Sequence, residues 1–489
     1  MSKKLKWGKL LCAKRLKGIN QPKQDNGKAD NSKLTDNRTE IERDYDRILF
    51  AAPTRRLADK TQVFPLEKNV SIRTRLTHSY EVSNLARSIG TNLVWHSEIF
   101  KQLNDDDKRN IPSMLAAIGL AHDIGNPPFG HQGEEAIRSW FRKNTKHLDA
   151  VDESLRDDFL KFEGNAQAIR LLTKLQLVDH GYGLDLTVGT LAAMLKYPIS
   201  SAEIKNGDKS PYKKFNYFNS EKDFIETVWE HTGLSTNVRH PLTYIMEACD
   251  DIAYSVLDAE DSVKKGLVSF LDLIGFLENE IEKFKNEQTS KNNTSIIDNT
   301  NSVIEKAKNK HLENREQIIS PNELNEISMQ KFRVYAIYMM INQVIETFEY
   351  NYNKIMHGQF KGNLIENSDA SLLCKALKDF GFKHGYKHRE VLEIELRGHK
   401  IINELMDMLW TGITKRDKHE DVSSKRSDPF ANYAYHRISE NYRRVFESEY
   451  NGKDDKDIAY GEAQLLTDMI SGMADNYALE LHEDLKKYC

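Results

Sequence analysis

Apolar side chains in this chain recur at the spacing of an α-helix, and no extended run alternates between apolar and polar residues as a strand would. From His78 onward, positions 78, 82, 85, 89 and 93 form one apolar stripe of a helix. Proline is scarce, at 11 of 489 residues, and proline breaks helix interiors because it lacks the amide hydrogen. The sequence therefore predicts a mainly α fold.

Three of the predicted helices carry imidazole or carboxylate groups on or beside their apolar faces. His78 lies on the stripe just described, and His122-Asp123 follows a nearly all-apolar helix predicted at residues 112–121. Asp250 lies in the middle of a third apolar helix. A buried carboxylate without a partner is costly, so these groups must contact a counter-charge or a metal ion.

Asp250 and Asp251 are adjacent, and one of them should face inward. The helical neighbours of Asp250 are the more apolar, so Asp250 is the preferred inward carboxylate. Two imidazoles and two carboxylates suit Mn²⁺, Mg²⁺, Fe or Zn²⁺. A lone histidine on an apolar face is more often a hydrogen-bonded core residue than a ligand. The combination on three apolar helices favours a metal site.

Charge is nearly balanced, because 70 Lys and Arg face 74 Asp and Glu for a net charge of −4. This balance argues against a general basic coat for nucleic acid. The first 33 residues differ, with ten basic and two acidic residues. We expect a disordered basic tail at residues 1–35, with an arm that contacts phosphate or nucleic acid as the alternative.

Other parts of the sequence indicate loops and the cellular location. Residues 286–302 and 414–429 are polar and are predicted to be loops. The longest charge-free apolar stretch, at residues 111–121, is too short to span a bilayer, and the N-terminus has no apolar signal core. Four widely spaced cysteines show no zinc-binding or redox spacing. We therefore expect a cytoplasmic protein with no membrane partner.

Three motifs carry a resemblance to a known family: Arg-Leu-Thr-His-Ser at residues 75–79, Gly-Leu-Ala-His-Asp-Ile-Gly-Asn-Pro-Pro-Phe-Gly-His-Gln-Gly-Glu at 119–134, and Glu-Ala-Cys-Asp-Asp-Ile-Ala-Tyr at 247–254. They resemble the HD-domain superfamily, and within it the deoxyguanosine triphosphate triphosphohydrolases. Further matches lie at residues 54–67, 162–167, 195–197, 241–248 and 470–478. The resemblance extends from about residue 38 to 480 and thins between about 265 and 460.

The resemblance implies an HD-domain helical fold with an additional helical C-terminal region. Residues 36–270 would form the catalytic core with a substrate-binding insertion, and residues 271–489 would complete the pocket and make oligomer contacts. It also implies a homo-oligomer, a hexamer in many relatives, and single-stranded DNA as a further partner.

The implied reaction is hydrolysis of dGTP, or of other dNTPs, to deoxynucleoside and inorganic triphosphate. The resemblance assigns the metal to His78, His122, Asp123 and Asp250, with Mn²⁺ or Mg²⁺ expected and Fe, Co and Zn as alternatives. For proton transfer at the leaving 5′ oxygen we expect His131 with Glu134, which would lie about one helical turn apart.

The substrate-binding residues follow from the same matches. Arg75 and Lys196 are the firmer candidates for the triphosphate, from a wider set that includes Arg55, Arg56, Arg73, Lys213 and Lys214. One of Lys213 and Lys214 should also bind the triphosphate, and Lys214 is the candidate that we name. The resemblance places Gln62, Tyr254 and Asp258 at the deoxyribose, where Tyr254 would exclude a 2′ hydroxyl. Asn165 is a candidate for the metal or phosphate shell, with a helix cap as the alternative.

Two other functions stay open on sequence alone. One is a different HD phosphohydrolase, such as a 5′-nucleotidase or a phosphodiesterase. The other is a regulatory protein that binds nucleotides or single-stranded DNA and has a secondary hydrolase activity. The long motif at residues 119–134, together with Gln62 and Tyr254, favours the triphosphohydrolase.

Overall fold

A computed structural model of the chain describes residues 4–21, 37–64, 66, 69, 71–176, 181–204, 212–287, 294–317 and 319–489. Within these ranges no strand is formed, although isolated β-bridges join Arg15 to Thr187 and Ser200 to Tyr217. The predicted mainly α class is confirmed. None of the described helices has the length and apolar character that crossing a membrane requires.

The α-helices in the first half of the chain are α1 (Trp7–Leu10), α2 (Leu16–Asn20), α3 (Glu40–Leu49), α4 (Ala52–Arg56), α5 (Arg75–His96), α6 (Asp105–Ala121), α7 (Gly130–Lys143), α8 (Asp157–Leu160), α9 (Gly164–Thr173), α10 (Val188–Met194), α11 (Lys222–Thr232) and α12 (Pro241–Lys264). Those in the second half are α13 (Phe270–Glu287), α14 (Thr294–Arg315), α15 (Pro321–Met356), α16 (Ser371–Gly381), α17 (Arg389–Thr414), α18 (Pro429–Arg437), α19 (Glu440–Tyr450), α20 (Asp455–Gly472) and α21 (Asp475–Lys486). Short 3-10 helices lie at Leu57–Asp59, Glu98–Phe100, Thr145–Leu148, Glu153–Leu155, Ser201–Glu203 and Asn219–Glu221, and a π-helical turn at Phe382–Tyr386.

The chain divides into two compact units, each assembled from separate stretches of sequence. Unit 1 contains Met1–Leu5, Gln62–Gly119 and Pro241–Glu393. Unit 2 contains Lys6–Thr61, Leu120–His240 and Ile394–Cys489. The boundaries predicted at residues 35/36 and 270/271 divide the chain by function and not by packing. They stay a prediction.

Unit 1 is organised around α12, which packs against α5, α15 and α16. Thr74 begins α5 with a reciprocal cap, in which Thr74 and Thr77 each accept a backbone hydrogen bond from the other. Pro241 occupies the first position of α12, where its missing amide hydrogen costs nothing. Nearly every residue of α12 is buried, so side chains on several of its faces pack inside the protein.

Unit 2 contains a buried cluster of charged side chains. Arg170 on α9 is fully buried and donates to both carboxylate oxygens of Asp468 on α20, at 2.8–2.9 Å. It also donates to Glu221 at 2.9 Å. A buried ion pair stabilises a fold only when its hydrogen bonds are satisfied, and these contacts satisfy the guanidinium from two sides. The cluster therefore fixes α9 and α20 within unit 2.

The predicted helices with candidate ligands are confirmed, with some shifts at their ends. The stripe from His78 to Leu93 lies on α5 and is buried. The predicted helix at residues 112–121 is the C-terminal part of α6, which starts earlier, at Asp105, and contains Pro112 in its interior. The helix expected near Gly133 begins at Gly130.

One predicted loop is confirmed and the other is wrong where it can be assessed. The loop at residues 414–429 connects α17 to α18. The other loop was predicted at residues 286–302, but residues 286–287 belong to α13 and residues 294–302 to α14. Their Asn, Ser and Thr content indicated a loop, but Thr300, Val303 and Ile304 are buried as α14 packs against α15. Tertiary packing overrides weak intrinsic helix propensity here. Residues 288–293 lie outside the described residues.

The expected disordered tail is also wrong for part of its length. Residues 4–21 include α1 and α2, and Trp7, Leu10 and Leu16 are buried. Arg15 donates to Glu40 at 2.7 Å and to Asp44 at 2.9 Å. The few apolar residues of this basic segment are therefore used for packing. The rest of the predicted tail, residues 1–3 and 22–35, lies outside the described residues.

Candidate functional site

In unit 1, α5 and α12 bring a histidine and an aspartate together. His78 Nε2 lies 3.3 Å from Asp250 Oδ1, although 172 residues separate them in sequence. The His78 side chain is 1% exposed and that of Asp250 is 24% exposed. An imidazole on a buried helical face and a partly accessible carboxylate are therefore aimed at each other, which is an arrangement that could hold a cation.

The structure separates Asp250 from Asp251 by their partners, since their side-chain exposures of 24% and 19% are similar. Asp251 is held by Lys378 at 2.6 Å and also accepts a hydrogen bond from Asn363. Its charge is thus neutralised within unit 1. Asp250 is the carboxylate beside His78, as the sequence suggested, although relative burial was not the distinguishing property.

Further along α12, Tyr254 and Asp258 contact a residue that sequence reasoning missed. Tyr386 donates a hydrogen bond from its hydroxyl to Asp258 Oδ2 at 2.9 Å. The Tyr386 ring stacks on that of Tyr254, with centroids 5.9 Å apart. Burial raises the pKa of Asp258 well above its ordinary value, although the hydrogen bond from Tyr386 opposes the increase. Burial, followed by the charge of Asp258, raises the pKa of Tyr254 to about 12.

Gln62, the third sugar candidate, also lies in unit 1. Its Oε1 is buried and has no hydrogen-bond partner among the described residues. Buried side-chain acceptors are normally satisfied, so an unsatisfied one is expected to accept from a ligand or water.

In unit 2, His122 and Asp123 lie next to each other at the end of α6. Their closest side-chain atoms, His122 Nε2 and Asp123 Oδ1, are 3.6 Å apart. Asn126 donates from its side-chain amide to Asp123 Oδ1 at 2.6 Å. The intervening Gly125 lies directly on the start of α9, where a Cβ atom would be 2.1 Å from the Gly164 carbonyl oxygen. Only glycine allows this approach, which explains one part of the long motif.

His131 and Glu134 form an imidazole–carboxylate pair in the first turns of α7. His131 Nδ1 lies 3.4 Å from Glu134 Oε2, so the predicted contact is present. The imidazole is 77% exposed, whereas the carboxylate is only 5% exposed. Glu134 also accepts the Gly164 backbone amide at 2.9 Å. The neighbouring Glu135 instead pairs with Arg138 and Arg142.

Glu134 is one member of a group of four charged side chains in unit 2, of which the two glutamates are buried. Arg138 lies between Glu134, at 3.4 Å, and Glu163, at 3.2 Å. Lys214 Nζ lies 3.1 Å from Glu163 Oε2. Burial would raise the pKa of Glu134, but the hydrogen bond with His131 and the charge of Lys214 lower it to about 2. Burial and the charge of Glu134 raise the pKa of Glu163 to about 7.

This group distinguishes the two neighbouring lysine candidates. Lys214 is partly buried against Glu163, whereas Lys213 is exposed. Burial lowers the pKa of Lys214, but the charges of Glu134 and Glu163 outweigh it and raise the pKa above its ordinary value. Lys214 therefore stays cationic near Glu134 and Glu163, which fits a group that binds phosphate.

The remaining basic candidates have different surroundings. Arg73 contacts Glu81, Glu260 and Asp261, which together raise its pKa against the effect of burial, so it serves an internal ion network in unit 1. Arg56 donates to the Tyr442 hydroxyl at 3.2 Å in unit 2.

The three motif-matched residues that remain each lie at or near a helix end. Arg75 is buried as the first residue of α5. Lys196 follows α10, with its Nζ 5.9 Å from the centre of the Tyr197 ring. Asn165 is not the cap of α9, because Glu163 occupies the N-cap position. The Asn165 carbonyl oxygen accepts from Asn216 at 3.1 Å.

Comparison with known proteins identifies the family. The HD domain family model matches residues 75–183. A deoxyguanosinetriphosphate triphosphohydrolase-like protein of Listeria monocytogenes is 36% identical over 98% of this chain and 99% of the relative. A like-named protein of Synechocystis is 31% identical over 99% of both chains. A deoxyguanosinetriphosphate triphosphohydrolase of Serratia proteamaculans is 30% identical over 91% of this chain and 93% of the relative.

The chain belongs to the HD-domain deoxyguanosinetriphosphate triphosphohydrolase family. This membership confirms the predicted HD-domain helical fold and supports a nucleotide triphosphate hydrolase. It covers nearly the whole chain, so the region where the motif resemblance thins, from about 265 to 460, is included.

The structure adds three residues to the predicted site residues, because each of the three contacts one of them. Tyr386 lies 128 residues beyond its partner Asp258, and nothing in its local sequence marks it. Arg138 lies beyond the long motif at residues 119–134 and is not among the predicted site residues. Glu163 belongs to the matched segment Phe-Glu-Gly-Asn-Ala-Gln at 162–167, so a signal for it was present in the sequence.

Proposed function

We propose that the protein hydrolyses dGTP, and other dNTPs to an extent set by its pocket, to deoxynucleoside and inorganic triphosphate in a metal-dependent reaction. The observation that carries this proposal is the near full-length relationship to proteins named for that activity, at 30–36% identity. The side chains described above support it, because they include the imidazole, carboxylate and cationic groups that the reaction requires.

The metal ligands in this proposal are His78, His122, Asp123 and Asp250, the set that the family resemblance implies. Their chemistry fits a divalent cation, since two imidazole nitrogens and two carboxylates form a donor set with no thiolate. A cation bound there would polarise a phosphoryl oxygen and lower the pKa of a water ligand. Mn²⁺ and Mg²⁺ are the proposed ions, with Fe, Co and Zn as alternatives.

His131 is the proposed proton donor to the leaving 5′ oxygen. Its ring is exposed and thus accessible to substrate, whereas Glu134 is buried and stays ionised. A fixed carboxylate behind an imidazole orients the ring and stabilises its protonated form. Lys214, together with Arg75 and Lys196, would bind the triphosphate through charge-assisted hydrogen bonds.

The deoxyribose would bind against α12. Asp258 and Gln62 are proposed to contact the 3′ hydroxyl, and Tyr254 to lie under the sugar. Tyr386 supports this assignment because it donates to Asp258 and stacks on Tyr254, which restricts the movement of both side chains. Asn165 is proposed to order the phosphate shell.

A dNTP panel with identification of products tests the proposal. Purified protein with Mn²⁺ or Mg²⁺ should convert dGTP to deoxyguanosine and inorganic triphosphate, separated by ion chromatography. GTP and the other dNTPs provide the matched substrates. Pyrophosphate or orthophosphate as the first product would point to a different HD phosphohydrolase and would contradict the proposal.

We also propose, on the family resemblance, a cytoplasmic homo-oligomer, with single-stranded DNA as a candidate partner. In unit 1, the exposed Val334 and Tyr338 on α15 offer apolar surface for a subunit contact. Light scattering after size exclusion would determine the assembly. A mobility shift lost when the exposed Lys6, Lys9 and Lys14 are replaced by glutamine, with turnover intact, would support DNA binding by the basic segment.

A further inference from the structure

A buried carboxylate near the C-terminus of the chain holds the loop that leads to His131. Asp475, the first residue of α21, is 2% exposed. Its Oδ1 accepts the Phe129 backbone amide at 3.0 Å, and its Oδ2 accepts the Thr61 backbone amide at 3.0 Å. The Thr61 hydroxyl donates to the same Oδ2. All of these residues belong to unit 2.

A lysine makes a second connection between the same three segments. Lys60 is 3% exposed, and its Nζ donates to the Asn126 carbonyl oxygen at 2.6 Å and to the Ser471 carbonyl oxygen at 2.7 Å. Asn126 in turn donates to Asp123. Lys60, Thr61, Ser471 and Asp475 all fall in matched segments, at residues 54–67 and 470–478, to which the proposed chemistry assigns no role for these four.

The loop needs such support because its backbone is unfavourable. Phe129 has φ 60° and ψ 21°, which is the left-handed region that a bulky side chain rarely adopts. Gly130, the next residue, has φ 58°. These two residues immediately precede His131, so their conformation determines the direction in which the His131 side chain projects. A strained conformation persists only where surrounding contacts hold it.

We propose that Asp475, assisted by Lys60, is a positioning residue that keeps residues 126–130 in the conformation required to present His131. Asp475 touches neither substrate nor metal in this role. Its kinetic consequence rests on the proposed function, whereas its effect on the loop does not.

The test compares Asp475→Asn with a matched substitution, Asp158→Asn. Asp158 is also in unit 2, is 1% exposed, and likewise accepts three hydrogen bonds. Its donors are the hydroxyls of Ser201 and Tyr460 and the Asn219 amide, at 2.5, 2.7 and 2.9 Å. An asparagine at either position keeps one acceptor oxygen and turns an NH₂ group toward a donor. The two variants should lose thermal stability to a similar extent, so stability is controlled.

In steady-state assays, Asp475→Asn should lower kcat by about 10- to 100-fold with little change in KM, because a misplaced proton donor slows the chemistry. Asp158→Asn should keep kcat in its folded fraction. Hydrogen exchange provides a second measurement, which does not depend on enzymatic activity. The peptide that contains Phe129 should exchange faster in Asp475→Asn than in wild type. In Asp158→Asn its exchange rate should equal that of wild type.

The outcomes separate the two proposals. Faster exchange of the Phe129 peptide in a protein that proves not to hydrolyse dNTPs would support the positioning role and reject the proposed function. Equal kcat and equal exchange in the two variants would overturn the positioning role, whatever the reaction. Lys60→Met should show the same pattern as Asp475→Asn, and wild-type exchange at residues 126–130 in that variant would count against the assistance by Lys60.

Discussion

The His78–Asp250 pair and the His131–Glu134 pair differ in almost every physical respect. In unit 1, His78 and Asp250 come from two long helices, and the imidazole is the buried member at 1% exposure. In unit 2, His131 and Glu134 lie three residues apart on α7, and the imidazole is the exposed member at 77%. An inward-facing imidazole suits a fixed ligand, whereas an exposed imidazole backed by a buried carboxylate suits proton exchange with a substrate. Similar side chains thus gain different proposed roles from burial alone.

The largest effect is expected from breaking the unit 1 pair. Asp250→Asn keeps the size of the side chain but removes the charge, so bound metal should be lost. Activity should fall by about 10³-fold or more, because metal ions supply several kcal/mol of transition-state stabilisation. Metal content by elemental analysis and dGTP turnover would measure both.

Asp251→Asn is the matched control on the same helix. Asp251 is paired with Lys378 and Asn363, so this variant should retain metal and most of the turnover. Metal loss in both variants to the same degree would mean that the helix as a whole, and not the contact with His78, determines binding.

The next effect comes from the unit 2 pair. His131→Ala should retain its metal and lose turnover by about 10²–10⁴, the usual contribution of a general acid. Glu135→Gln on the same helix is the control, since Glu135 pairs only with arginines among its described contacts. Loss of metal from His131→Ala would mean that His131 also affects metal binding. The two pairs would then not have the separate roles proposed for them.

A smaller effect is expected at the sugar, on the helix that carries Asp250. Tyr254→Ala should lower the ratio of kcat/KM for dGTP over GTP by about tenfold, because excluding a hydroxyl by shape alone gives limited discrimination. Tyr386→Phe should change this ratio less, since it keeps the ring and loses only the hydrogen bond to Asp258. Unchanged discrimination in Tyr254→Ala would remove it as the steric gate.

The smallest effect concerns pH and the surroundings of Glu134. The pKa of Glu163 is raised from 4.5 to about 7, so the folded state binds the extra proton in that range. Its stability contribution is therefore present below pH 4.5 and is lost as the pH rises through about 7. The melting temperature of wild type should fall across this window, and that of Glu163→Gln should fall less. Parallel curves would show that Glu163 does not carry the proton.

Long buried helices were predictable because burial imposes a strict spacing. The stripe at His78, Val82 and Leu85 is on α5, and the apolar face of α12 is where the sequence indicated it. The His131–Glu134 contact was predictable for the same reason, since three residues on a helix bring side chains together.

The misses share a different cause, which is dependence on distant parts of the chain. Residues 294–302 have a loop-like composition, and only packing against α15 makes them helical. Trp7 and Leu10 lie in a strongly basic segment, yet they are buried within unit 2. Tyr386 finds Asp258 across 128 residues. Local pattern contains no information about such partners.

The hydrogen bond from Thr61 to Asp475 joins residues 414 positions apart, and it lies inside one unit. At about 5–20 residues per second, a ribosome needs roughly 20–80 s to make the intervening chain. Throughout that interval the N-terminal stretch of unit 2 lacks the segment that completes it. Unit 2 should therefore stay incompletely folded until Asp475 has been synthesised, and removal of α21 should act as a folding mutation.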